Sequence, residues 1–131
     1  MAKKTFKVET VGQALLEILR ERGIECLIGN AFTSIIDGLS KFEAEGNSTL
    51  RPVMTPHEQT AVTMAHGFFS VTGRPQAAIV YSTPGTANIA GALINASKAQ
   101  VPLIVLAASS AVTDDGSMRG SRDIHVQWAQ E

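Results

Sequence analysis

Residues 50–73 read LRPVMTPHEQTAVTMAHGFFSVTG, and the hydrophobic period changes at Thr55-Pro56-His57-Glu58-Gln59. Residues 50–54 form a short apolar segment that predicts a strand. From about 56 to 72, Ala61, Val62, Met64, Ala65, Phe68 and Phe69 recur at intervals that put them on one face of a helix. Thr55 suits the N-cap, Pro56 the first helical position, and Glu58, three residues after the cap, completes a capping box. The competing reading makes Glu58 a buried acid with chemistry to do. This helix carries almost no other charge, so desolvation would raise the pKa of Glu58 while the helix N-terminus lowers it. On spacing alone both readings stand.

Outward from this unit, helix and strand alternate. Thr10 caps a helix to about residue 22, with Val11, Ala14, Leu15, Ile18 and Leu19 at helical spacing, Gln13 closing a box, and Gly23 as the stop. A strand over 25–28 follows, then a helix over 33–45 carrying Ile35, Ile36, Leu39 and Phe42 inward. The strand at 50–54 contains Pro52, which assigns it to an edge or to irregular pairing. Further on, 76–81 reads as a buried strand, 85–98 as a helix and 103–108 as the last clear strand; beyond Ser109 the pattern is that of a loop. This alternation predicts an α/β fold, a three-layer doubly wound domain with a mostly parallel central sheet, over residues 1–131. Ligands of such sheets bind beyond the carboxyl ends of the strands. The segments Gly29-Asn30-Ala31-Phe32, 55–58, 82–86 and Ser109-Ser110 should therefore line one rim, which brings Glu58 to the Pro84-Gly85 turn.

The chain has 131 residues, 44% hydrophobic and 18% charged, with a net charge of −1, which suits one globular domain. That balance offers no electrostatic footprint for nucleic acid or an anionic membrane. The single cysteine, Cys26, lies in an apolar run and is expected to be a core residue in a reducing, cytoplasmic setting. Met1 to Lys7 is not followed by an apolar signal core, and no run reaches about 18 apolar residues. No two histidines fall at ligand spacing with a third donor, so no metal site is expected in this chain. His66 and His125 are expected to be structural. The 85–98 segment is apolar nearly all round, through Ala87, Ile89, Ala90, Ala92, Leu93, Ile94, Ala96 and Ala99. Such a helix is buried on more than one side, against another chain or domain or at the centre of this one.

Several of these residues also form ordered blocks. His57-Glu58-Gln59, Met64-Ala65-His66-Gly67-Phe68 and Thr72-Gly73-Arg74-Pro75 resemble the HEQ, M-A-x-G-Y/F and T-G-x-P segments of the first domain of thiamine diphosphate enzymes. The enzymes in question form the acetolactate synthase and 2-oxo acid decarboxylase family. Ser82-Thr83-Pro84-Gly85-Thr86-Ala87-Asn88 is similar to its S-G-P-G-x-x-N segment, Val101-Pro102-Leu103 to an I-P-L strand entry, and Gln130-Glu131 to a Q-E pair. The resemblance covers roughly residues 10–131 and implies a pyrimidine-binding domain. It makes Glu58 the acid that hydrogen-bonds N1′ of the cofactor's aminopyrimidine. Pro84, Gly85, Thr86 and Asn88 become the segment approaching that ring. Thr86 retains a second reading as a helix cap, whereas Asn88, polar on an apolar helix, needs a specific partner. Gln130 and His57 are candidates for the active-site mouth, although Gln130 also reads as a surface residue, and a His57 relay is opposed by the ~100° between neighbouring helix side chains.

The resemblance further implies a small 2-oxo acid substrate and a homo-oligomer, a dimer or a pairing with a diphosphate-binding domain. Magnesium would be held by that second domain, because Asp115-Gly116 lies too near the end to be the family's G-D-G site. Accordingly the chain reads as a truncated piece or split subunit, inactive alone. One departure is clear: where the family has G-x-P-G after the first strand, this chain has Gly29-Asn30-Ala31-Phe32, so substrate class does not transfer. A non-catalytic α/β oligomerisation module of the same ancestry is the alternative. A flavodoxin-like or receiver-like domain would need a phosphate loop or an acidic phosphoacceptor, and neither motif is present.

Overall fold

The computed structural model describes residues 5–44, 46 and 50–108. In chain order these form helix α1 (Val11–Glu21), strand β1 (Cys26–Gly29), a 3-10 turn (Thr33–Ile35) leading into α2 (Ile36–Ala44), and β2 (Arg51–Met54). There follow α3 (Glu58–Thr72), β3 (Ala77–Tyr81), α4 (Ser82–Asn88), α5 (Ala90–Lys98) and β4 (Ile104–Ala108). Every strand pair is parallel and the spatial order is β2-β1-β3-β4. The chain thus moves outward from β1 to β2, then reverses to β3 and β4. The reversal leaves a crevice between the ends of β1 and β3, the place where such sheets hold ligands.

Alternate strand residues face opposite layers. On one side Leu27, Ala77 and Ile79 pack with Leu16 and Leu19 of α1 and Phe42 of α2. On the other, Cys26, Ile28, Ala78 and Val80 pack with Ala61, Val62 and Ala65 of α3 and Ile89 and Ala92 around α5. This is the expected three-layer α/β sandwich, with Cys26 in the core. Leu16 and Leu27 are wholly buried, each contributing about 1.5–3 kcal/mol of apolar transfer. Gly38 of α2 lets that helix sit tight on α1, since a Cβ there would lie 2.9 Å from Leu16 Cδ1.

The capping box of α1 is present: Thr10 Oγ1 accepts from the Gln13 N–H at 3.2 Å and Gln13 Oε1 accepts from the Thr10 N–H at 3.3 Å. The inward stripes differ from the periodic reading. Val11, Ile18, Ile36 and Met64 are exposed, because each helix covers the sheet on one side only and the stripe centres on Leu16 and Leu19, on Phe42, and on Ala61, Val62 and Ala65. β2 is an edge strand, where Pro52 costs little pairing.

Two buried contacts fix β1 against β3. Gln76, wholly buried, accepts from the Glu25 N–H at 3.0 Å and the Cys26 N–H at 2.7 Å, standing in for backbone pairing where β1 begins. Gly29 ends β1 at φ +157°, and a Cβ there would lie 1.9 Å from the Ile79 carbonyl oxygen. The expected single helix over 85–98 is two helices. α4 starts three residues earlier, at Ser82, whose φ of +54° makes a sharp turn out of β3. The break falls at wholly buried Ile89, so Ile89 enters the core while Asn88 before it turns to the strand ends.

Candidate functional site

Three strand ends meet at Glu58. The ladder between β1 and β2 continues one residue past β2, where the Thr55 N–H donates to the Gly29 carbonyl at 3.0 Å. Thr55 is thereby drawn inward and buried, and it does not cap the helix. Instead His57, in extended backbone, is the N-cap of α3, its Nδ1 accepting from the Gln59 N–H at 3.1 Å. The expected Thr55–Glu58 box is therefore corrected: Glu58 is the first residue of α3, and its carboxylate is left to reach across the rim.

Both carboxylate oxygens find amides there. Asn30, in the loop after β1, donates through Nδ2 to Glu58 Oε1 at 2.9 Å. Asn88, the last residue of α4, donates through Nδ2 to Oε2 at 3.0 Å. Gly85 lies against the same carboxylate, where a Cβ would approach Glu58 Cγ and Oε1 to 3.3 Å. Asn88 thus has the partner its place on an apolar helix demanded. Asn30 had no place among the sequence candidates. The signal for it was only its position, a polar residue directly after a central strand on the predicted rim.

Electrostatics follow from these contacts. The Asn30 hydrogen bond holds the Glu58 carboxyl below the usual carboxylate range; partial burial opposes it, and Asn88, the residue's own backbone N–H and the nearby His57 add to the lowering. Desolvation, weighed for this acid against the helix N-terminus, is outweighed by hydrogen bonds to the charged form, led by that of Asn30. Two buried oxygens at the same strand ends, Asn30 Oδ1 and Thr55 Oγ1, have no hydrogen-bond partner among the described residues.

The other candidates fall around this centre. Pro84 is exposed in the first turn of α4. Thr86 donates from Oγ1 to the Ser82 carbonyl at 2.8 Å, inside α4, so its reading as a cap is corrected: the helix begins four residues before it. His66 is half-buried in α3. Ser109-Ser110, Asp115-Gly116, His125 and Gln130 lie outside the described residues. Among the described residues no group of three or more His, Cys, Asp or Glu could hold a metal ion. No helix among them is long and apolar enough to cross a membrane.

The family described as thiamine pyrophosphate enzyme, N-terminal TPP binding domain, matches residues 9–130. The chain is 35% identical over 100 residues to the protein named "Probable 2-ketoarginine decarboxylase AruI" of Pseudomonas aeruginosa, a match covering 76% of this chain and 17% of that one. It is 33% identical over 95 residues to acetolactate synthase 3, chloroplastic, of Brassica napus, covering 70% of this chain and 14% of the relative. Among solved structures, the thiamine diphosphate-dependent 4-hydroxybenzoylformate decarboxylase of Rhodococcus jostii RHA1 superposes with a TM-score of 0.69 at 26% identity, over 94% of this chain and 23% of that one. The chain thus spans less than a quarter of each of these proteins. It belongs to the thiamine pyrophosphate enzymes, as their N-terminal TPP binding domain.

Proposed function

We propose that this chain is the pyrimidine-binding part of a longer thiamine diphosphate-dependent enzyme that decarboxylates or joins small 2-oxo acids. The observation that carries it is the half-open Glu58 carboxylate, held from both sides by Asn30 and Asn88 at the meeting of three strand ends. The residues fit the cofactor's ring. Each carboxylate oxygen accepts one amide and keeps a further lone pair for a ring N–H. Glycine at position 85 leaves the approach to the carboxylate clear.

When bound, the cofactor supplies the carbon nucleophile and the electron sink, and the protein supplies placement and proton management. Glu58 holds or exchanges a proton at the aminopyrimidine ring nitrogen, a contribution worth about 10² to 10⁴ in rate. Gly85, Pro84 and Thr86 shape the turn that faces the ring, while His57 and Gln130 belong to the mouth. Magnesium and the diphosphate are held by a separate domain. An oligomer, a dimer or a pairing with that domain covers the open side of α4 and α5, where Ile94 is 61% exposed. The setting is cytoplasmic.

The test is Glu58→Gln in the full-length protein, with hydrogen-deuterium exchange at cofactor C2 as the readout. Exchange is expected to slow at least about tenfold. Exchange at the original rate would sink the assignment.

A further inference from the structure

We propose that Asn30 is a positioning residue for Glu58: from the loop after β1 its amide fixes which carboxylate lone pairs stay open to the ligand. The inference rests on the reading of Glu58 given above. Oε1 is taken by Asn30 at 2.9 Å and Oε2 by Asn88 at 3.0 Å, from opposite sides of the crevice, so the plane of the carboxylate is set by two elements independent of α3. Either contact alone would leave the carboxylate free to turn about the other.

The state of Asn30 itself argues that this contact matters. An ionised carboxylate only accepts, so the amide must turn its NH2 toward Glu58 and its oxygen away. That oxygen is buried and has no hydrogen-bond partner among the described residues. An unpaired buried acceptor is unfavourable, and an apolar side chain would avoid it. The arrangement persists because the NH2 group is spent on Glu58. Thr55, which follows Met54 as Asn30 follows its register partner Gly29, carries the other unpaired oxygen of this rim.

The groups around Glu58 separate this role from a general electrostatic one. Among the described residues the β1 loop supplies Asn30, and α4 supplies Gly85 and Asn88, all uncharged. His57 on its own helix is the titratable group whose charge acts on it. Removing Asn30 therefore changes a hydrogen bond without altering any formal charge.

The experiment uses the full-length protein with Asn30→Ala and the isosteric Asn30→Asp. The first readout needs no bound cofactor: carbon-13 NMR titration of glutamate carboxyls, with Glu58 assigned by the signal lost in Glu58→Gln. The Glu58 midpoint is expected to rise in Asn30→Ala, and further in Asn30→Asp, where two carboxyls share one proton. The second readout is the pH profile of C2 exchange with thiamine diphosphate and magnesium, whose acidic limb should move up by the same interval. A Glu58 midpoint unmoved in folded variants overturns the role of Asn30, even where Glu58→Gln remains defective. Normal exchange in Glu58→Gln overturns the reading of the site instead. Should Asn30→Ala fail to fold, Asn30→Leu, of similar shape, uncharged and without a donor, decides the question by the same midpoint.

Discussion

Replacing Gly85 by alanine should damage the site while sparing the fold. The added Cβ would meet Glu58 Cγ and Oε1 at 3.3 Å, tighter than ordinary contact, so the carboxylate must give by a few tenths of an ångström. It has little slack, because the Asn30 and Asn88 hydrogen bonds already stand at 2.9 and 3.0 Å. On the stability side, alanine in a helix gains about 0.5–1 kcal/mol over glycine, and the close contact costs about as much, so the midpoint of thermal unfolding should move by only a degree or two in either direction. The effect on chemistry is larger. A misplacement of about 1 Å costs about 10²-fold, so a shift of about 0.3 Å costs roughly fourfold. The assay is the rate of C2 exchange on the full-length Gly85→Ala protein at saturating cofactor, beside its calorimetric unfolding. Unchanged exchange with unchanged stability would refute the claim that Gly85 makes room for the Glu58 carboxylate. A fall of more than about 5 °C would show that the backbone of α4 yields rather than the acid.

Other expectations follow from contacts already described. Glu58 has its carboxyl lowered in the folded chain, so the stability it contributes is complete above its ordinary value of 4.5 and is lost as pH falls through the lowered one. The difference in unfolding temperature between wild type and Glu58→Gln should accordingly be constant near neutrality and shrink below that value in a pH series, and a difference that grows toward acid would contradict the sign. Gly29→Ala sets a Cβ at 1.9 Å from the Ile79 carbonyl oxygen and should cost at least about 3 kcal/mol, read by denaturant unfolding; a loss under about 1 kcal/mol would mean that β1 and β3 are free to part. Gln76→Leu strips the Glu25 and Cys26 N–H groups of their buried acceptor and should cost about 2–4 kcal/mol, which equal stability of the two proteins would exclude.

The layers and their order follow from features plain in the sequence: alternating periods, the Thr10–Gln13 box, and a proline that marks β2 as an edge. Three of the four rim segments lie among the described residues, and they meet as parallel strands require, with Glu58 beside the turn at Gly85. What failed was local competition decided by long-range pairing. Thr55 has a cap's chemistry, yet Gly29, distant in sequence, claims its N–H and pulls it inward. The helix then starts at Glu58 with His57 as cap, and the carboxylate is free. No local rule could find the break at Ile89 either, because burial of that side chain is set by α3 and β3. The Asn30 contact, between residues 28 apart, showed in the sequence only as a shared place on the rim, without the partner.

The central position of β1 has a consequence for how the protein is made. β1 emerges from the ribosome before the β2 and β3 strands that flank it, and the Cys26 N–H waits for an acceptor 50 residues later in the chain. At about 5–20 residues per second, that interval lasts roughly 3–10 s. During it the nascent chain carries an apolar strand whose β3-facing edge is unpaired, the kind of segment that chaperones engage. Arrival of Gln76 closes that window, joining β1 to β3, the second of its two neighbours.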